Sequence, residues 1–157
     1  MGTSPRVSSV YADPMLADPA VPSSSSKASV LIVDDEWDIR EMMSLYLELC
    51  GYVVYGASDG AEAIAVAGRA QPDIILMDLM MPRMDGWEAT RRLKANSSTS
   101  DIVVVAFSAR SQSDGAQAAR RAGCAAFISK PCNLARLDAT LRQFIYRRLP
   151  PLRSSNN

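Results

Sequence analysis

Asp34, Asp35, Asp78, Ser108 and Lys130 each stand just past the end of a short apolar run, and together they carry the residue types that phosphoryl chemistry asks for. Three carboxylates gathered in one place repel one another. A hard divalent cation such as Mg²⁺, which takes oxygen ligands and keeps several waters, relieves that repulsion. Lys130 offers a compact positive charge and Ser108 a hydroxyl donor, which can neutralise and orient the oxygens of a phosphoryl group. Asp78 is the central acid, placed to attack phosphorus and become an aspartyl phosphate. Each residue alone has a plainer explanation. Asp78 would serve as a turn former before Pro82, Asp34 to Glu36 as a helix cap, Ser108 as a loop hydroxyl and Lys130 as a solvated charge. Those explanations fail jointly, because all five would have to fall by chance at the same end of successive strands.

The runs that precede these residues read as buried strands. Val30 to Val33 is apolar and β-branched and closes on Asp34-Asp35-Glu36; Ile74 to Met77, after Asp73, runs into Asp78; Ile102 to Phe107 ends at Ser108; Ala125 to Ile128 leads to Lys130-Pro131. Tyr52 to Gly56 adds a further strand. Continuous rather than alternating apolar runs indicate strands covered on both faces, as in parallel sheets. Between them lie helices from about 38 to 50, 61 to 70, 87 to 95, 111 to 122 and 134 to 147. The first carries Ile39, Met42, Met43, Tyr46 and Leu49 on one stripe and stops at Gly51. The second starts from Ser58 or Asp59 and the third from Asp85, while the last turns Leu134, Leu137, Leu141, Phe144 and Ile145 inward. Five strands alternating with five helices specify an α/β fold with helices on both faces of a parallel sheet, whose carboxyl edge gathers the five polar residues.

Composition narrows the function classes. The 157 residues suit one domain with tails, and 17 basic against 17 acidic residues leave no net field to attract nucleic acid or an anionic membrane. The chain has no histidine, which excludes Ser-His and Cys-His nucleophile pairs and His-ligated zinc. Cys50, Cys124 and Cys132 form no CxxC pair and are odd in number, which fits reduced thiols and a cytoplasmic location. No apolar run reaches the roughly 18 residues a membrane span needs. Residues 1–27, with Pro5, Pro14, Pro19, Pro22 and the run Ser23 to Ser26, read as a disordered extension; residues 28–149 form the domain and 150–157 a polar tail.

Asp-Asp-Glu at 34–36, Met-Asp-Leu-Met-Met-Pro-Arg-Met-Asp-Gly at 77–86, Phe-Ser-Ala at 107–109 and Lys-Pro at 130–131 make the chain resemble the response-regulator receiver domains of two-component signalling, over about Ala28 to Arg148. The resemblance implies a flavodoxin-like (βα)5 receiver fold with strand order 2-1-3-4-5. It implies that Asp78 takes a phosphoryl group from a histidine kinase or a histidine phosphotransfer protein. It further implies Mg²⁺ ligated by Asp35, Asp78 and the backbone carbonyl of Met80, with Asp34 acting through water, and phosphoryl oxygens held by Ser108 and Lys130. The Lys130-Pro131 bond would be cis. A switch is implied as well: Ser108 moves inward on phosphorylation and Phe127 turns from exposed to buried, remodelling the face built from the fourth helix, fifth strand and fifth helix. Met80 and Arg110, two residues past Asp78 and Ser108, flank the pocket at positions that vary in the family and influence phosphoryl lifetime. Ser108 stands where threonine is common.

The leading expectation is a stand-alone signalling module, not a conventional enzyme, whose output is a protein partner, a phosphorylation-dependent dimer or relay to another histidine, with no contact to nucleic acid or membrane. A receiver segment of a hybrid histidine kinase is the alternative. A metal-dependent phosphatase with Asp78 as nucleophile is a third; phosphatases of the haloacid-dehalogenase kind place a second acid two residues after the nucleophile, where this chain has Met80.

Overall fold

The computed structural model describes residues 27–109 and 112–148, without the side chains of 112–114 and 148. The extension and tail expected at 1–27 and 150–157 lie outside these residues, apart from Lys27. Five strands and five helices alternate: β1 (Ser29–Val33), α1 (Trp37–Leu49), β2 (Val53–Ala57), α2 (Gly60–Ala70), β3 (Ile74–Met77), α3 (Gly86–Ala95), β4 (Val103–Ser108), α4 (Gln112–Ala122), β5 (Ala126–Ser129) and α5 (Leu134–Arg148). The strands form one parallel sheet in the order β2-β1-β3-β4-β5, the flavodoxin-like arrangement the resemblance implies.

The unbroken apolar runs are explained by what covers them. One face of the sheet sends Leu31, Val33, Ile75, Met77, Val104 and Ala106 into a core shared with Ala63 and Ala67 of α2, Ala89 and Leu93 of α3 and Ala119 of α4. The other sends Val30, Ile32, Ile74, Leu76, Val105 and Phe107 against Met43 and Leu47 of α1 and Leu137 and Leu141 of α5. All four residues of β3 are at most 1% exposed. Fully burying each side chain of this size stabilises the fold by about 1.5–3 kcal/mol, so the central strand is anchored from both sides.

The stripe expected on α1 is rotated in the structure. Met43 and Leu47 are the buried residues, whereas Met42 and Leu49 are 53% and 80% exposed. The apolar side chains of α1 span too wide an arc for periodicity to select a face; the sheet selects the row 43–47, four residues apart. The helix starts follow the acids named above. Asp59 accepts from the amides of Ala61 and Glu62, both at 2.9 Å, and Asp85 from that of Glu88 at 2.8 Å. Gly51 ends α1 and Gly123 ends α4 at positive φ, 95° and 102°.

Candidate functional site

Strand register decides which carboxyl ends meet. Val33 pairs with Met77, and the amide of Asp78 donates to the Val33 carbonyl at 2.8 Å, so the residues that follow, Asp34 and Asp78, emerge side by side. Ser108 pairs with Ser129, and the amide of Lys130 donates to the Ser108 carbonyl at 2.8 Å, which carries Lys130 past the sheet edge toward the acids. The result is a pocket made from four strands.

Within it, Lys130 Nζ lies 2.6 Å from Asp34 Oδ2 and 3.1 Å from Asp78 Oδ2. Asp34, Asp35 and Asp78 each present a carboxylate oxygen within 4.8 Å of the others. Asp34 and Asp78 are buried, 1% and 4% exposed, while Asp35 is open to solvent. The second oxygens are also held: Asp34 Oδ1 accepts from the Glu36 amide at 2.9 Å and Asp78 Oδ1 from the Met80 amide at 3.0 Å. Each of these bonds spans two residues, so the turns that follow β1 and β3 aim the carboxylates directly.

Electrostatics in the pocket is uneven. Burial pushes the Asp78 carboxyl above its ordinary pKa; the Met80 amide and Lys130 ammonium oppose this, and the Asp34 charge adds to it. Burial also works against the Lys130 ammonium, but the hydrogen bond to Asp34 and the charges of Asp78 and Asp34 outweigh it, leaving its pKa above the ordinary value. Both shifts point upward because for Asp78 burial outweighs the one cation beside it, while the lysine gains from two carboxylates more than burial takes away. Lys130 also stands 5.1 Å over the Phe107 ring. That support had a signal in the sequence only in retrospect, as an aromatic at the end of β4.

Ser108 is fully buried, and its Oγ has no hydrogen-bond partner among the described residues. A buried hydroxyl left unpaired costs roughly 1–3 kcal/mol. The orphan donor and the crowded carboxylates are the two features that a bound cation and an anionic oxygen would satisfy together, so the residues present fit Mg²⁺ and a phosphoryl group.

Met80 sits in the turn beside Asp78 with its side chain 54% exposed, so the thioether faces solvent. Phe127 is half-buried, its ring so close to α4 that a Cβ on Gly115 would come within 2.6 Å of Cε2 and Cζ. Arg110 lies outside the described residues. The Lys130-Pro131 bond is cis. The sequence reading missed two further contacts at the site's margins: Arg83, at φ 68°, pairs with Asp59 at 2.7 Å, and Arg40 reaches the backbone of Asp34.

The response regulator receiver domain family matches residues 30–142. This chain belongs to that family. The receiver is 39% identical over 119 residues to the phosphate regulon transcriptional regulatory protein PhoB of Pseudomonas aeruginosa, covering 73% of this chain and 52% of that protein. It is 34% identical over 118 residues to the DNA-binding dual master transcriptional regulator RpaA of Synechocystis, covering 75% and 49%. The chain spans about half the length of the curated relatives it matches. Among solved structures, the receiver resembles Vibrio cholerae chemotaxis protein CheY4 with a TM-score of 0.72 at 33% identity, covering 76% of this chain and 99% of that one. A response regulator from Chloroflexus aurantiacus gives 0.74 at 26% identity, covering 78% and 100%.

Proposed function

We propose that this receiver is a phosphorylation-controlled switch in which Asp78 accepts a phosphoryl group from a phosphohistidine on a histidine kinase or histidine phosphotransfer protein. A carboxylate oxygen of Asp78 attacks phosphorus. The phosphorus–nitrogen bond breaks, and its electron pair returns to the imidazole of the donor. The observation that carries this reading is the buried Asp78 carboxylate set between the Lys130 ammonium, 3.1 Å away, and two further acids. Lys130 draws charge from the transferring oxygens and the Ser108 hydroxyl donates to one of them, ending its isolation. Asp35, Asp78 and the Met80 carbonyl would hold Mg²⁺, with Asp34 acting through water. Bound there, Mg²⁺ neutralises the carboxylates and the phosphoryl oxygens.

Movement of Ser108 toward the phosphoryl group would free space for Phe127 to turn fully inward, repacking α4, β5 and α5. The ring's present seat on Gly115 supports this, because any shift of Phe127 moves against α4. Output then passes to a protein partner, to a dimer of this chain formed on phosphorylation, or to a further histidine. Equal numbers of cations and anions favour a protein over nucleic acid as the receiver's own contact. The names and lengths of the curated relatives support a second reading, a receiver that controls a DNA-binding partner region in a longer regulator; a stand-alone receiver and a receiver that relays phosphate within a hybrid kinase are the alternatives to it. A cytoplasmic location fits the three free thiols, and no helix among the described residues is long and apolar enough to cross a membrane.

Incubation with acetyl phosphate and Mg²⁺ should add one phosphoryl group by intact mass, with none on Asp78→Asn or in excess chelator. Continuous turnover of a phosphomonoester would contradict the switch and favour a phosphatase. Under beryllofluoride, the Phe127 ring resonances should shift; unchanged resonances would remove Phe127 from the switch.

A further inference from the structure

Arg40 stands one turn into α1 and is half-buried, unlike a solvated helix arginine. Its stem crosses β2 at Gly56, where an added Cβ would lie 3.5 Å from Cδ and 3.7 Å from Nε. Its Nη1 donates a 2.5 Å hydrogen bond to the backbone carbonyl of Asp34. That carbonyl belongs to the peptide plane joining Asp34 to Asp35. We propose that Arg40 is a positioning residue: passing over the gap left by Gly56, it fixes the Asp34–Asp35 peptide plane and thereby holds the two carboxylates at the spacing a divalent cation requires. The inference rests on the reading of the pocket as a Mg²⁺ site.

The two acids depend on that plane unequally. Asp34 is held at its other polar atoms, the amide by the Ala57 carbonyl at 3.1 Å and the carboxylate by the Glu36 amide and Lys130. Asp35 is exposed, so its aim follows from its backbone. A guanidinium with a short, charge-assisted bond to the carbonyl before Asp35 holds the peptide plane on one side of that residue, as the Glu36 amide bonded to Asp34 Oδ1 holds the plane on the other. The Glu62 carboxyl is held below its ordinary pKa first by the Ser58 amide and hydroxyl and, more weakly, by the Arg40 charge. Glycine inside a strand marks a place where another group approaches closely, and here that group is the Arg40 stem. Groups that support metal ligands from behind typically change metal affinity by 10- to 100-fold when removed.

The test uses the full chain and MgCl₂ alone, followed through Trp37, which lies three residues from Asp34, and by calorimetry. Arg40→Met keeps the stem and removes the donor; it should raise the Mg²⁺ Kd about tenfold, with phosphoryl uptake from acetyl phosphate restored at saturating Mg²⁺. Gly56→Val, which crowds the stem without touching either acid, should shift the Kd in the same direction, while Gly56→Ala, an ordinary contact, should leave it unchanged. Wild-type affinity in both Arg40→Met and Gly56→Val, beside a loss of binding in Asp35→Asn, would overturn the positioning role alone. So would weakened binding with no recovery of uptake at saturating Mg²⁺, which marks a general structural defect. Absence of Mg²⁺ binding by the wild type would instead bring down the cation-site reading and the proposal with it. Should Arg40→Met fail to fold, Gly56→Val decides the matter.

Discussion

At Asp78 the needs of folding and of chemistry conflict. A nucleophilic carboxylate must be ionised, yet this one is buried beside another acid, and its pKa is raised above the ordinary value. For an acid so shifted, folding carries no penalty at pH values below the ordinary pKa. The penalty grows as pH rises through the ordinary value and is complete above the raised one. Asp78→Asn should therefore melt a few degrees above the wild type at neutral pH without Mg²⁺, with the gap closing at acidic pH. The substitution leaves Lys130 its 2.6 Å partner Asp34, so the ammonium is not stranded. Added Mg²⁺ should raise the melting temperature of the wild type and narrow the gap. Thermal denaturation at two pH values, with and without Mg²⁺, checks this; a variant less stable than the wild type at neutral pH would mean that the Asp78–Lys130 pair outweighs burial. Asp34, Asp35, Asp78, Ser108 and Lys130 were legible in the sequence because each follows an apolar run that can only be a strand. Arg40 was not, since a basic residue on an amphipathic helix reads as solvated; only Gly56, a glycine within a strand, hinted that something crosses there.

Between residue and molecule, the turn from β3 into α3 does the positioning. Gly86 starts α3, and a Cβ there would fall 2.1 Å from the Asp78 carbonyl oxygen and 2.8 Å from Leu79 Cα. The Gly86 amide also donates to the Leu79 carbonyl at 3.3 Å, which ties the start of the helix to the turn. Gly86→Ala should cost at least the roughly 1–3 kcal/mol of an overpacked core and weaken phosphoryl uptake beyond the loss of folded protein. Chemical denaturation together with uptake per folded molecule would show it. Wild-type values for both would mean that the turn is loose. The Asp-Gly pair at 85–86 was readable as a helix start, but the need for a missing side chain against the Asp78 backbone was not. That need arises from a contact between residues eight apart in sequence, which periodicity does not report. The rotated face of α1 has the same origin: Met42, Met43, Leu47 and Leu49 are alike in hydropathy, and only the position of the sheet separates the buried pair from the exposed pair.

For the whole molecule, strand order turns scattered residues into one site. Asp34 and Lys130 are 96 positions apart and meet because β1 and β3 are neighbours, β3 is followed by β4 and β5, and every strand ends at the same edge. The sequence specified this through apolar runs of strand length separated by helices, and the right-handed connection rule left few alternatives. The two-sided core, the order of the strands and the converging acids agree with one another and with the family to which the chain belongs. The most direct test of the central claim is to find where the phosphoryl group goes. Borohydride reduces an acyl phosphate to the alcohol, so protein treated with acetyl phosphate and Mg²⁺, then reduced and mapped by peptide mass, should carry homoserine at position 78 and nowhere else. Homoserine at position 34 or 35, or phosphate retained on a serine after reduction, would contradict it.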